Sequence, residues 1–129
     1  MRYSDLTRRY FESTPALGVL LRDAMSAAPG VFRGSAGQPE RGTWVQFDVQ
    51  AQGGRILDAR FLAFGCPHTI AAASWVAEQA RGGSLRAALP EPVRALGERF
   101  EVPRDKLGRL LIVEDAWLNA AKAAIESGV

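Results

Sequence analysis

The stretch Asp58-Ala-Arg-Phe61-Leu-Ala-Phe64-Gly65-Cys66-Pro67-His68-Thr-Ile70-Ala-Ala-Ala-Ser74-Trp75-Val-Ala-Glu78 changes its period at Gly65. Ahead of the glycine, Ile56, Ala59, Phe61 and Phe64 are β-type residues, and they predict a strand that ends at Gly65. Behind it, Ile70, Ala71, Ser74, Trp75 and Ala77 suit a helix over Pro67 to Arg81, with Gly82-Gly83 as its stop. Pro67 falls in the first turn of that helix, where its missing N–H would have had no partner anyway. Gly65-Cys66-Pro67-His68 is therefore a strand-to-helix junction.

Working back from it, Trp44, Gln46, Asp48 and Gln50 alternate with Val45, Phe47 and Val49, and Gln52-Gly53-Gly54 reads as a turn, so the strand is the second arm of a hairpin. The Gly34-Ser-Ala-Gly-Gln-Pro-Glu-Arg-Gly42 segment is rich in turn formers and is expected to be a surface loop. Leu6, Tyr10 and Phe11 sit at helical spacing within Tyr3–Gly18, with Asp5 early and Pro15 as the stop. A weaker helical pattern runs from Leu17 to Ala27 and ends at Pro29-Gly30. Working forward, Ser84 is a fitting N-cap for a short helix to Leu89, and Pro90 and Pro92 separate it from another over Val93–Phe100. Pro103 opens a long final helix in which Leu107, Leu110, Leu111, Val113, Ala116, Trp117, Ala120, Ala121 and Ile125 recur with helical period. A small antiparallel sheet followed mostly by helices is an α+β domain, and 129 residues predict a single one over 1–129.

Composition narrows the function. One cysteine excludes an internal disulfide, and one cysteine with one histidine excludes a zinc finger. The pI near 9.1 raises nucleic acid as a partner. Arginines are however dispersed among acids, with only Arg8-Arg9 adjacent, so no phosphate-tracking patch is expected. No apolar run approaches the ~20 residues of a membrane span, and the start of the chain lacks a signal-peptide core. A cytoplasmic, reducing setting is the expectation.

The only cysteine and the only histidine lie two positions apart at the start of a helix. Unpaired N–H groups and the positive end of the helix dipole favour the thiolate there. Thiolate is the form that binds iron, accepts sulfane sulfur or attacks an electrophile, and His68 offers a neighbouring ligand or proton acceptor. The structural alternative is a small buried thiol with no chemistry. A thiol hydrolase would need an orienting acid, and nothing in the sequence places Asp48, Asp58, Asp105 or Asp115 there. Trp44, Trp75 and Trp117 occupy positions suited to packing.

The Asp58–Glu78 stretch resembles the central segment of the IscU/NifU N-terminal family of iron–sulfur cluster scaffolds, in which a D-A-R-F strand ends in an aromatic, Gly and Cys before a small-residue helix. Tyr3-Ser-Asp5 and Glu114-Asp-Ala-Trp-Leu-Asn-Ala-Ala-Lys-Ala-Ala-Ile125 resemble the family's ends, so the likeness spans nearly the whole chain. It implies a three-stranded antiparallel sheet covered by helices. It also implies a non-enzymatic scaffold with bound iron or an iron–sulfur cluster, and a cysteine desulfurase or other assembly protein as partner.

The ligand pattern departs from that family, whose scaffolds use three cysteines and an aspartate. Only the junction cysteine is present, as Cys66. The loop holds Gln38-Pro-Glu-Arg-Gly42 in place of a C-G-D motif, with Glu40 as the candidate oxygen ligand. Gly108 and Arg109 stand where the family's His and Cys would fall, and its L-P-P-V-K chaperone motif corresponds to Val102-Pro-Arg-Asp-Lys106, which leaves Pro103 and Lys106 as candidate partner-binding residues. Two readings follow. Cys66, His68 and Glu40 bind metal, with a symmetric dimer supplying two Cys and two His to a [2Fe–2S] cluster. Alternatively the chain holds no cluster, and carries sulfur on Cys66 or serves as a desulfurase-binding modulator.

Overall fold

The computed structural model describes residues 3–20, 30–86 and 92–128. Among them, α1 spans Asp5–Glu12, β1 Val31–Gln38, β2 Thr43–Gln52, β3 Arg55–Phe64, α2 Pro67–Ala80, α3 Val93–Arg99 and α4 Gly108–Glu126. The strands form one antiparallel sheet in the order β1-β2-β3. The expected hairpin is β2-β3, closed at Gln52 and Arg55 by Gly53 and Gly54, both of which have positive φ as a tight two-residue turn demands.

Phe47 of β2 faces Phe61 of β3 across the ladder, and Val49 faces Ala59. These side chains are fully buried and form the sheet's share of the core. α4 lies across β1 and β2, where Trp117 meets Phe47 edge to face at 5.2 Å, and α2 lies on β3. α1 packs on the outer side of α2, so α2 is covered nearly all round. That explains a helix in which Ala71, Ala72, Ala73, Ser74, Trp75, Val76 and Ala77 are all buried, without the one-sided pattern of a surface helix. Ser4 caps α1, its hydroxyl accepting the Thr7 amide at 3.1 Å. Both Ser4 and Thr7 donate side-chain hydrogen bonds to the Phe100 carbonyl, which ties the first helix to the end of α3.

The expectation of a loop over Gly34–Gly42 is wrong for its first half. Val31–Gln38 is a full strand, paired from Val31 opposite Gln50 to Gln38 opposite Thr43; only Pro39–Arg41 forms a 3-10 turn. The small residues that read as turn formers serve packing instead. A Cβ on Gly34 would collide with the backbone of Asn119 and Ala120, so the glycine lets α4 lie directly on the strand. Arg33 sits opposite the buried Asp48 and binds it through Nε at 2.7 Å and Nη2 at 3.0 Å.

The second helix expected from Leu17 does not begin there. Leu17 forms a parallel bridge to Phe61, with the Phe61 amide donating to the Ala16 carbonyl and the Gly18 amide to the Phe61 carbonyl, so the chain extends β3's free edge. The remainder of that expectation, from residue 21 on, lies outside the described residues, as does most of the short helix expected to reach Leu89. Ser84 is in a bridge to Arg55, and its hydroxyl accepts the Arg86 amide. Val93–Phe100 and the long last helix follow the sequence, although Pro103 introduces a 3-10 turn, Arg104–Lys106, before α4 starts at Gly108.

Candidate functional site

β3 and α2 position the thiol. The strand ends at Phe64, the backbone turns at Gly65, and Cys66 becomes the N-cap of α2 with Pro67 in the first turn. Cys66 is half-buried. The Thr69 hydroxyl lies 3.6 Å from Sγ, and His68 Nδ1 lies 3.9 Å from it. His68 is only 2% exposed, and its ring meets Tyr3 edge-on at 4.9 Å. The N-terminal strap that carries Tyr3 thus closes one side of the site.

Arg109 lies in the first turn of α4, and the positive charges of Lys106 and Arg109 are felt at His68. Burial pushes the Cys66 thiol up, but hydrogen bonding from the Thr69 side chain and amide, from Arg109 and from the His68 amide outweighs it, so its pKa falls below the ordinary 9.0. Burial first, then the positive charges of Lys106 and Arg109, hold His68 below its ordinary 6.5. The pair is thus biased toward a thiolate beside a neutral imidazole.

The structure brings Cys66 and His68 together and adds Thr69, with Lys106 and Arg109 acting on the pair through their charge and hydrogen bonding. The sequence named Arg109 only as the occupant of a ligand position. Lys106, a candidate partner-binding residue, is half-buried and its charge is felt at His68, whereas Pro103 is exposed at the N-cap of its turn. Glu40 is exposed on the Pro39–Arg41 turn at the same end of the sheet, where a Cβ on Gly65 would come within 3.5 Å of the Gly42 carbonyl oxygen. Among the described residues no hydrogen bond or ion pair joins Glu40 to Cys66 or His68. Of the four acids considered for a hydrolase triad, Asp48 is bound to Arg33, and Asp58 to Arg81 at 3.0 Å and Arg60 at 3.4 Å.

A four-ligand iron–sulfur cluster does not fit this donor set within one chain. The junction offers one thiolate and one imidazole, and among the described residues no cluster of three or more His, Cys, Asp or Glu could hold a metal ion.

Residues 3–125 match the model of the NifU-like N terminal domain. The chain belongs to this family. It is 34% identical over 95 residues to "Iron-sulfur cluster assembly protein 3" of Arabidopsis thaliana, a match covering 73% of this chain but only 56% of that protein. It is 30% identical over 123 residues to "Iron-sulfur cluster assembly scaffold protein IscU" of Azotobacter vinelandii, covering 95% of this chain and 93% of the other. Among solved structures, the N-terminal part of a NifU-like protein from Brucella abortus superposes with a TM-score of 0.72 at 20% identity, over 95% of this chain and 94% of that one. The expected NifU-like fold, with its three-stranded antiparallel sheet and long last helix, is borne out. Among the described residues no helix is long and apolar enough to cross a membrane.

Proposed function

We propose that this chain works in iron–sulfur cluster assembly as a scaffold-like protein that carries sulfur on Cys66, and that it is not itself an enzyme. The observation behind this is the Cys66 environment. It is the sole thiol, half-buried at a helix N-cap and drawn toward the thiolate by Thr69, Arg109 and the His68 amide. Family membership and relatives named as cluster assembly proteins supply the pathway. The chemistry is a sulfur transfer: the Cys66 thiolate attacks the outer sulfur of a donor persulfide, a Cys66–sulfur bond forms, the donor's S–S bond breaks, and the donor thiolate leaves with the electron pair. A cysteine desulfurase is the donor partner, and Pro103 is the exposed residue we assign to partner contact. Such chemistry belongs in a reducing, cytoplasmic compartment, where thiols persist.

Holding a cluster would require a second copy to add its own Cys66 and His68. The missing donors favour, as the second reading, an interaction module that binds a desulfurase and takes no sulfur. Incubation with a cysteine desulfurase and cysteine, followed by intact mass spectrometry, separates the two. Sulfur carriage gives one added sulfur on the wild type and none on Cys66→Ser. An unmodified Cys66 in a stable complex with the desulfurase would overturn it in favour of the modulator.

A further inference from the structure

The end of the sheet farthest from Cys66 carries a second polar constellation. The hairpin turn Gly53-Gly54 and the Gly82-Gly83 turn that follows α2 lie side by side and, with Arg55, Ser84 and Arg86, line an open cleft of about 440 Å³. Three backbone hydrogen bonds knit the turns together. The Ile56 amide donates to the Gly83 carbonyl at 2.9 Å, the Gly82 amide to the Ile56 carbonyl at 2.7 Å, and the Leu85 amide to the Gly54 carbonyl at 2.8 Å. The buried side chain of Leu85 anchors the rim in the core, so the walls are tied-down backbone.

What these bonds leave over is mostly donors. The carbonyls of Gly54 and Gly83 are taken by those amides, that of Gly82 by Arg55 Nη2 at 3.1 Å, and that of Ala80 by the Gly83 amide at 3.0 Å. The amides of Gly53, Gly54 and Ser84 donate no hydrogen bond within the described residues. The Ser84 hydroxyl accepts the Arg86 amide at 3.2 Å and keeps its own proton to give. No carboxylate lines the cleft, and among the described residues neither Arg55 nor Arg86 forms an ion pair. The carboxyl end of α2 brings a partial negative charge of about half a unit to this corner, which two full positive charges exceed.

We propose that this cleft binds the dianionic phosphate group of a small molecule, free or as a monoester, with Arg55 and Arg86 supplying charge and forked hydrogen bonds and the amides of Gly53, Gly54 and Ser84 completing the cradle. A phosphate group offers strong acceptor oxygens, the complement of a lining whose spare groups are donors. β3 runs from Arg55 at the cleft to Phe64, two residues before Cys66, and its 10 residues place the cleft roughly 30 Å from the thiol. The cleft is thus independent of the sulfur chemistry, and its failure leaves that reading standing.

NMR titration of the isotope-labelled full chain with inorganic phosphate and, separately, with glycerol phosphate tests this, each beside sodium chloride at matched ionic strength and at about pH 8, where the phosphate group is dianionic. Expected are saturable shifts centred on Gly53, Gly54, Ser84 and the two arginine side chains, with half-saturation in the millimolar range that exposed charges give in water. Arg55→Gln and Arg86→Gln should each weaken binding about fivefold or more, the loss of one unit charge at contact distance in water. Both side chains are exposed, so the variants should fold, and the wild-type shift map is a test without them. Tighter binding by one of the two ligands says whether free phosphate or an ester is preferred, and either supports the inference. Shifts that sodium chloride reproduces, that do not saturate or that centre elsewhere would overturn it, as would unchanged affinity in both glutamine variants.

Discussion

Replacing Gly34 with alanine should displace the helix that carries Arg109. A Cβ built on this residue lies 2.6 Å from the Ala120 Cα and 2.6 Å from the Asn119 carbonyl carbon, with the Ala120 amide nitrogen closer still. Carbon atoms rest comfortably at ~3.5–4.0 Å, so α4 must retreat from β1 by roughly 1 Å. That retreat loosens the fully buried Val113, Ala116, Ala120 and Ala124 and the Trp117–Phe47 contact. Overpacking costs about 1–3 kcal/mol, and because the obstructing atoms are backbone and cannot rotate aside, the upper end applies. At about 4 °C per kcal/mol for a domain of this size, the expected fall in Tm is about 10 °C. The control is Gly53→Ala, where nothing lies within 4 Å but φ is +60°. It should cost only the left-handed backbone penalty of about 1 kcal/mol. Thermal unfolding followed by far-UV circular dichroism reads both. A Gly34→Ala protein melting within about 2 °C of wild type would refute the direct seating of α4 on β1.

Three further outcomes follow from the same structure. Asp48→Asn should destabilise the fold by roughly 3 kcal/mol, read by denaturant unfolding, because it removes the buried charge that Arg33 meets at 2.7 Å and weakens the 2.8 Å bond that Oδ2 accepts from the Leu20 amide. Alkylation of Cys66 should reach half its limiting rate at a lower pH in the folded protein than in denaturant, since the folded thiol titrates below 9.0. The sign for stability is that of a depressed acid: the thiolate contribution is complete above the unfolded pKa and is lost as pH falls through the folded one. Thr69→Val keeps the buried volume but removes the hydroxyl 3.6 Å from Sγ, so it should move that alkylation profile to higher pH and slow the reaction at neutral pH.

The junction was legible because its signals are local. The β-type run, Gly65, a proline in the first helical turn and the adjacent Cys66 and His68 all fall within one short stretch, and the structure makes Cys66 the N-cap of α2. β1 was misread because its residues answer to tertiary contact: Gly34 is small for α4's sake, and Gly37 and Gln38 pair with Trp44 and Thr43 although their types favour turns. The family likeness, and not the residue pattern, was what implied a third strand. Arg109 and Lys106 lie far along the chain from Cys66. Their influence on the junction depends on how the fold packs α4 against α2, and no local period encodes that. The thiolate bias expected from the helix N-terminus is present, but much of it comes from Thr69 and Arg109 side chains that the dipole argument did not include.

Cys66 should take sulfur, and its site should not keep iron. Anaerobic incubation of the wild type with ferrous ion, cysteine and a cysteine desulfurase, followed by desalting and a count of iron and sulfur per chain, measures both at once. The expected result is one sulfur on Cys66, absent from Cys66→Ser, with no iron retained. Iron and sulfide retained together in a wild-type protein with cluster absorbance would contradict it.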